Sequence, residues 1–264
     1  MKTHIGINGA CGRMGQRLIA LAKDDPELTV VAALESAKHP SLGKDAGEIA
    51  GIGPLGVAVT AELSLHTRVD AMIDFSMPEG TMTVLKTCFG RKIPLVVATT
   101  GHTPQQKAEI ESAAHETAIL TAPNMSLAVN VLFKLTQIAA ELLKGSGYDV
   151  EIIERHHRFK KDSPSGTALY FAKLIQEVQG QTQMRHGREG LVGERPRREI
   201  GMHAVRVGDN VGEHTIIFST LGETLELVHK AHSRDAYAKG ALLAAKFLAG
   251  KPAGRYSMHD VLGL

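Results

Sequence analysis

Short apolar runs alternate with helical patterns through the first half of the chain, and the rhythm changes after Pro123. The segments THIGING (3–9), LTVVAALES (28–36), RVDAMIDFS (68–76), IPLVVATT (93–100) and AILTAP (118–123) read as strands. Their near-continuous apolar character is that of a parallel sheet covered on both faces, not of a sheet with one wet side. Between them RMGQRLIALAKDD (13–25), MPEGTMTVLKTCFG (77–90) and PQQKAEIESAAHET (104–117) carry helical spacing. Strand and helix in strict alternation predict a doubly wound α/β domain, with right-handed crossovers that gather the strand C-termini along one edge.

Beyond Pro123 a long amphipathic helix, SLAVNVLFKLTQIAAELLK (126–144), leads to the strand YDVEIIER (148–155) and a second helical pattern, ALYFAKLIQEVQ (168–179). MHAVRVG (202–208), EHTIIFSTLG (213–222) and ETLELVHKA (223–231) then follow as strands in close succession, which predicts a mixed or antiparallel sheet. A last helix over 234–250 and the closing YSMHDVLGL return the chain to the first domain. The predicted layout is a dinucleotide-binding domain over 1–126 and 237–264, with a smaller α+β domain carrying an open mixed sheet over 127–236.

Composition narrows the field. Hydrophobic residues make up 43% and charged residues 22% of 264, with no low-complexity tract, as in ordinary globular proteins. A net charge of +2, no Trp and only 4% aromatics leave neither a basic stripe nor a stacking platform, which argues against a nucleic-acid partner. No apolar run approaches membrane-spanning length, and no apolar leader is visible. Cys11 and Cys88 have no CxxC or Cys/His metal spacing. The expectation is a soluble cytoplasmic protein with reduced thiols and no bound metal.

Candidate chemistry lies in two places. After the first strand, Gly9-Ala10-Cys11-Gly12-Arg13-Met14-Gly15 opens a helix, in a GxxGxxG form of the dinucleotide turn. Glycines there allow backbone to approach a pyrophosphate resting on the helix N-terminus. Glu35, twenty residues past the last glycine at the end of the second strand, suits the adenosine ribose hydroxyls and repels a 2′-phosphate. Ser36 stands where a basic residue would favour NADP, although Arg13, Lys38 and His39 are close by. The expected cofactor is NADH or NADPH, with NADH at least as good. FSMP (75–78), ATTG (98–101) and APNM (122–125) fall at three further strand ends, placed for the nicotinamide half of such a cofactor.

The second place is Glu154 to Ala168, ERHHRFKKDSPSGTA, where cations and two imidazoles precede a small-residue turn into a helix. With Asp162 or Ser163 as N-cap and Pro164 as the first helical residue, the turn offers an anion site at a helix N-terminus. Lysine and histidine beside bound anion are the equipment of a proton-transfer reaction on a carboxylate substrate. Neighbouring histidines on a strand face opposite ways, so His156 and His157 are expected to do different work, and together they make no metal site.

These motifs together resemble the dihydrodipicolinate reductase family over essentially the whole chain. The resemblance is carried by GACGRMG (9–15), DFSMPEGT (74–81), TTG (99–101), APNMSLAVNV (122–131), HH-x-x-K-x-D-x-PSGTA (156–168) and the stretch 193–218. It implies a Rossmann-type domain and a smaller domain whose open sheets associate into a homotetramer. It also implies hydride transfer from NAD(P)H to C4 of a small cyclic dicarboxylate, 4-hydroxy-tetrahydrodipicolinate, with loss of water, in lysine and diaminopimelate biosynthesis. By the same resemblance His156 is the acid/base residue and Lys160 the proton donor. His157, Ser165, Gly166, Thr167 and Thr100 bind substrate. Gly9, Ala10, Cys11, Gly12, Arg13, Met14, Glu35, Ser36, Ala98, Thr99, Thr100, Ala122, Pro123, Asn124 and Met125 line the cofactor.

Three positions depart from the family's habit: Phe159 where a histidine is frequent, Met125 where Phe is common, and Ser36 in place of an arginine. A structural role for His157, hydrogen-bonded beneath the loop, stays open. The rival readings are a dehydrogenase of another small acid or amino acid, aspartate-dehydrogenase-like, and a non-catalytic NAD-sensing regulator. The arginine- and glycine-rich stretch 184–199 reads as a mobile, solvated loop.

Overall fold

The computed structural model of the chain describes residues 2–180 and 183–264. It divides into two compact units, residues 1–127 with 234–264 and residues 128–233. In the first unit β1 (Thr3–Asn8), α1 (Arg13–Asp24), β2 (Leu28–Leu34), α2 (Ala46–Ile49), β3 (Val59–Thr60), β4 (Ala71–Asp74), α3 (Pro78–Arg91), β5 (Leu95–Val97), α4 (Pro104–Ala113) and β6 (Ala118–Thr121) alternate. The second unit holds most of α5 (Leu127–Leu142), then β7 (Asp149–His156), α6 (Gly166–Gln179), β8 (Gln183–His186), β9 (Glu199–Arg206), β10 (Gly212–Thr220) and β11 (Glu223–Ala231). The chain then re-enters the first unit as α7 (Asp235–Leu248), β12 (Gly254–Tyr256) and α8 (Met258–Leu262).

The first sheet is parallel throughout, in the order β12-β6-β5-β4-β1-β2-β3. Strand order reverses between β1 and β4, and crevices at such a switch point are where α/β sheets take their ligands. The apolar strands are buried on both faces, as their composition requires. One face carries α1 and α7, with Leu18, Ile19, Ala241, Ala245 and Leu248 packed on Ile5 and Ile7. The other carries α3 and α4, through Val84, Leu85, Cys88 and Ile110. The loops after β1, β2, β4, β5 and β6 therefore share one edge.

The second sheet is mixed: β10 runs antiparallel to β7 and β11, while β9 is parallel to both β7 and β8. One face is buried under α5 and α6, where Phe133 and Phe171 meet Val150, Ile152, Ile216 and Phe218. The stretch 184–199 is largely exposed, as expected of it, but it is not untethered. It starts inside β8 and is then tied down by arginines. Arg195 reaches Glu151 at 2.9 Å and Asp149 at 2.7 Å, and Arg188 reaches Glu151 at 3.1 Å and also pairs with Glu199. Partial burial works against the Glu151 carboxylate, but hydrogen bonds from Arg188, His203 and Arg195 prevail and hold it down at about 2.

Candidate active site

In the first unit the glycine turn is built as its sequence predicts. Gly9 adopts φ +81°, and a Cβ there would lie 2.4 Å from the Phe75 carbonyl oxygen, so the turns after β1 and β4 touch only because the side chain is missing. A Cβ on Gly15 would lie 2.2 Å from the Gly9 carbonyl oxygen, which sets how closely α1 can follow the turn. No side chain caps the N-terminus of α1 at Gly12. Its first-turn N–H groups therefore suit an anion, and the positive end of the helix dipole adds to the attraction. The residues present fit the pyrophosphate of a dinucleotide.

Glu35 leaves the end of β2 and folds back over this turn. Its carboxylate accepts the Cys11 N–H at 3.1 Å and the Ser36 N–H at 2.9 Å, which fixes it while leaving lone pairs for ribose hydroxyls. Although the sequence has no metal spacing, folding brings ligand atoms of Cys11, Glu35 and His39 within 4.8 Å of one another. Burial and the charge of Glu35 push the Cys11 thiol up, and His39 Nδ1 already accepts the Ser41 N–H.

Sequence reasoning missed the group that organises the other loops. Asp74, at the end of β4, is completely buried. It accepts from Asn8 Nδ2 at 2.7 Å, Ser76 Oγ at 2.5 Å, Thr81 Oγ1 at 2.6 Å and Thr99 Oγ1 at 2.8 Å. Thr99 in turn accepts the Ser76 N–H at 2.9 Å. Of the predicted cofactor residues, Thr99 is thus committed to the scaffold, while Thr100 beside it is exposed and Ala98 half-buried. Met125 is only 3% exposed, with its side chain in the core, and Asn124 Oδ1 accepts the Ser126 N–H. An acid at the start of DFSMPEGT, flanked by hydroxyl residues, was the available signal.

In the second unit His156 is the last residue of β7 and is buried, whereas His157 lies just past the strand and is half-buried. The two differ, as their alternation predicts. Lys160 follows in the turn, 21% exposed at its side chain, its Nζ 2.9 Å from Asp162 Oδ2. The helix start departs from expectation. The N-cap of α6 is Ser165, not Asp162 or Ser163, and Pro164 precedes the helix. Ser165 Oγ accepts the Ala168 N–H at 3.2 Å, while its own N–H is drawn to Glu154 at 3.0 Å, and these two bonds define the cap. Gly166 and Thr167 occupy the first turn, where dipole and backbone N–H groups favour a carboxylate. Phe159 is 76% exposed, and nothing in the structure explains its choice.

Two groups here were also missed. Glu154, fully buried, lies 2.5 Å from His156 Nδ1, and Arg206 spans both its oxygens at 2.8 Å. His214 on β10 stands with its ring centroid 5.4 Å from that of His156. Burial, then the neighbouring His156 and His229, push His214 down to about 3, so it is neutral at any ordinary pH.

A family model for the N-terminus of dihydrodipicolinate reductase matches residues 3–125, and one for the C-terminus matches 128–262. The chain belongs to the dihydrodipicolinate reductase family. It is 46% identical to the 4-hydroxy-tetrahydrodipicolinate reductase of Syntrophotalea carbinolica, over 98% of either chain. With the enzyme of that name from Rhodopirellula baltica it shares 49%, over 98% of this chain and 95% of the other. A solved dihydrodipicolinate reductase from Paenisporosarcina sp. TG-14, bound to dipicolinate, has the same fold at a TM-score of 0.76. It covers 98% of this chain and 99% of its own at 24% identity. In a reductase of this family the glycine turn and the His156–Lys160 segment fall one in each matched half.

Proposed function

We propose that the chain reduces 4-hydroxy-tetrahydrodipicolinate to tetrahydrodipicolinate with loss of water, drawing on NADH or NADPH. One observation carries this reading: His156, Lys160 and the turn from Ser165 to Thr167 are gathered at one strand end and the helix start that follows it. It is supported by the name of the relatives that share nearly half of the chain's residues. Neither the aspartate-dehydrogenase-like reading nor the nucleotide-sensing regulator accounts for that match.

Residues Gly9 to Met14 cradle the pyrophosphate, Glu35 and Ser36 the ribose, and Ala98 to Thr100 with Ala122 to Met125 the nicotinamide end. When bound, the dinucleotide supplies a hydride. The first-turn N–H groups of α6 at Gly166 and Thr167, with Ser165 and His157, bind the carboxylates of the substrate. Lys160 Nζ neutralises the charge that reduction leaves on the ring by giving a proton, and His156 serves as acid and base at the same centre. The Asp162 carboxylate holds the ammonium of Lys160 until then.

A coupled assay with dihydrodipicolinate synthase, followed at the NADH absorbance, tests this directly, and no turnover would end it. We expect NADH to serve at least as well as NADPH, because a carboxylate at the end of the second strand, here Glu35, repels a 2′-phosphate. A large NADPH preference in steady-state kinetics would overturn that part. A cytoplasmic homotetramer completes the proposal. It is supported by apolar side chains left exposed on β11, Leu225 and Val228 among them, and light scattering tests it.

A further inference from the structure

The ring of His156 has one nitrogen engaged. Its Nδ1 lies 2.5 Å from Glu154 Oε2, and strand periodicity explains the meeting, because residues two apart share a face. Register supplies the rest. On β9, Arg206 stands opposite His156, and on β10, His214 stands opposite Glu154. Arg206 donates to both oxygens of Glu154 at 2.8 Å and to the Asp162 carbonyl at 2.7 Å. The Ser165 N–H, the first of the turn into α6, donates to Glu154 Oε1 at 3.0 Å. Burial disfavours the charged carboxyl, but hydrogen bonds from His156, Arg206 and Ser165 outweigh it and hold Glu154 at about 2.

An ionised carboxylate only accepts, so the proton between the two groups sits on His156 Nδ1 and the neutral ring keeps its lone pair on Nε2. We propose that Glu154, braced by Arg206, is the positioning residue of this site. It fixes the tautomer and orientation of His156 so that Nε2 exchanges the proton, and through Ser165 it ties the carboxylate-binding turn to the same anchor. This role rests on reading His156 as the acid/base group. The groups around the ring agree with it. His214 stays neutral on the flank from β10, His229 lies behind His214, and Lys160 occupies the turn that follows.

The alternative is a plain staple, an ion pair that joins β7 to β9 and does nothing for the ring. Glu154→Gln separates the two, because it keeps the volume and an acceptor for Ser165 while removing the charge. It also offers His156 an amide donor that favours the other tautomer. The expected result is a fall in kcat of roughly 100-fold, with the KM for the dinucleotide held within about twofold. A lowered melting temperature with kcat unmoved would overturn the proposal.

If the variant does not fold, ring nitrogen-15 spectra of the unsubstituted protein decide. His156 with its proton on Nδ1 in the neutral form is expected, and a proton on Nε2 overturns the proposal. His156→Ala separates this inference from the reading beneath it. Full turnover in that variant removes His156 as the acid/base group, and Glu154 with it. Collapse in His156→Ala beside an unchanged Glu154→Gln removes only the positioning role.

Discussion

Asp74 in the first unit and Glu154 in the second are both completely buried, Asp74 as the last residue of β4 and Glu154 two residues before the end of β7. They are satisfied in different ways. Asp74 takes four neutral donors, an amide and three hydroxyls, from β1, the turn after β4, α3 and the turn after β5. Glu154 takes a guanidinium, an imidazole and one backbone N–H. Neutral donors spread over four segments lock backbone turns against each other, which is what a dinucleotide needs from a cradle. A charged partner set instead concentrates field on one ionisable ring, which is what proton transfer needs. Two carboxylates of equal burial are therefore suited to different tasks, one to clasping turns and one to electrostatic support.

The largest test of this contrast lies beside the second carboxylate. Lys160→Ala should lower kcat by roughly 10²–10⁴-fold with dinucleotide affinity intact by fluorescence titration. Loss of affinity would mean the lysine belongs to the clasp side of the division. Asp74→Ala should do the reverse, stranding buried hydroxyls and an amide at a cost of roughly 2–4 kcal/mol in urea unfolding and weakening dinucleotide binding. If binding persists at full strength, Asp74 is a stability element only and the comparison fails.

The smallest effect is graded, and it follows pH. Glu154 and Glu151 titrate near 2 when folded, against an ordinary value of 4.5. Depressed carboxylates give stability that is present above pH 4.5 and lost as pH falls toward 2. Melting temperature should therefore decline through that window, and Glu151→Gln should flatten the decline. A melting temperature level from pH 5 to pH 2 would show that neither pairing contributes.

The apolar runs announced the fold because parallel strands covered on both faces leave little room for polar side chains. Among the elements that escaped notice, β3 has two residues, α2 four and β12 three, and β8, whose QMRH holds a single apolar residue, lacks a strand pattern. The strands exist because a neighbour offers an edge to pair with, which is tertiary information. The start of α6 escaped for a different reason. Asp162, Ser163 and Ser165 are all competent caps, and the choice fell to Ser165 because its N–H is bound by Glu154, eleven residues away. Glu154, Arg206 and His214 gain their meaning only from the register of three strands. By contrast the glycine turn, Glu35 and the His156–Lys160 spacing were visible because local sequence alone dictates them.

The chain leaves the first unit near residue 127 and comes back at 234 to add α7 to the core beside α1 and β12 to the sheet beside β6. On the ribosome this reverses the apparent order of completion. The second unit emerges whole while the first, begun earlier, still lacks α7, which shares with α1 the cover over Ile5 and Ile7. The half made earlier is therefore the last to become a finished body, and its half-covered sheet face must wait about a hundred residues of synthesis for its second helix.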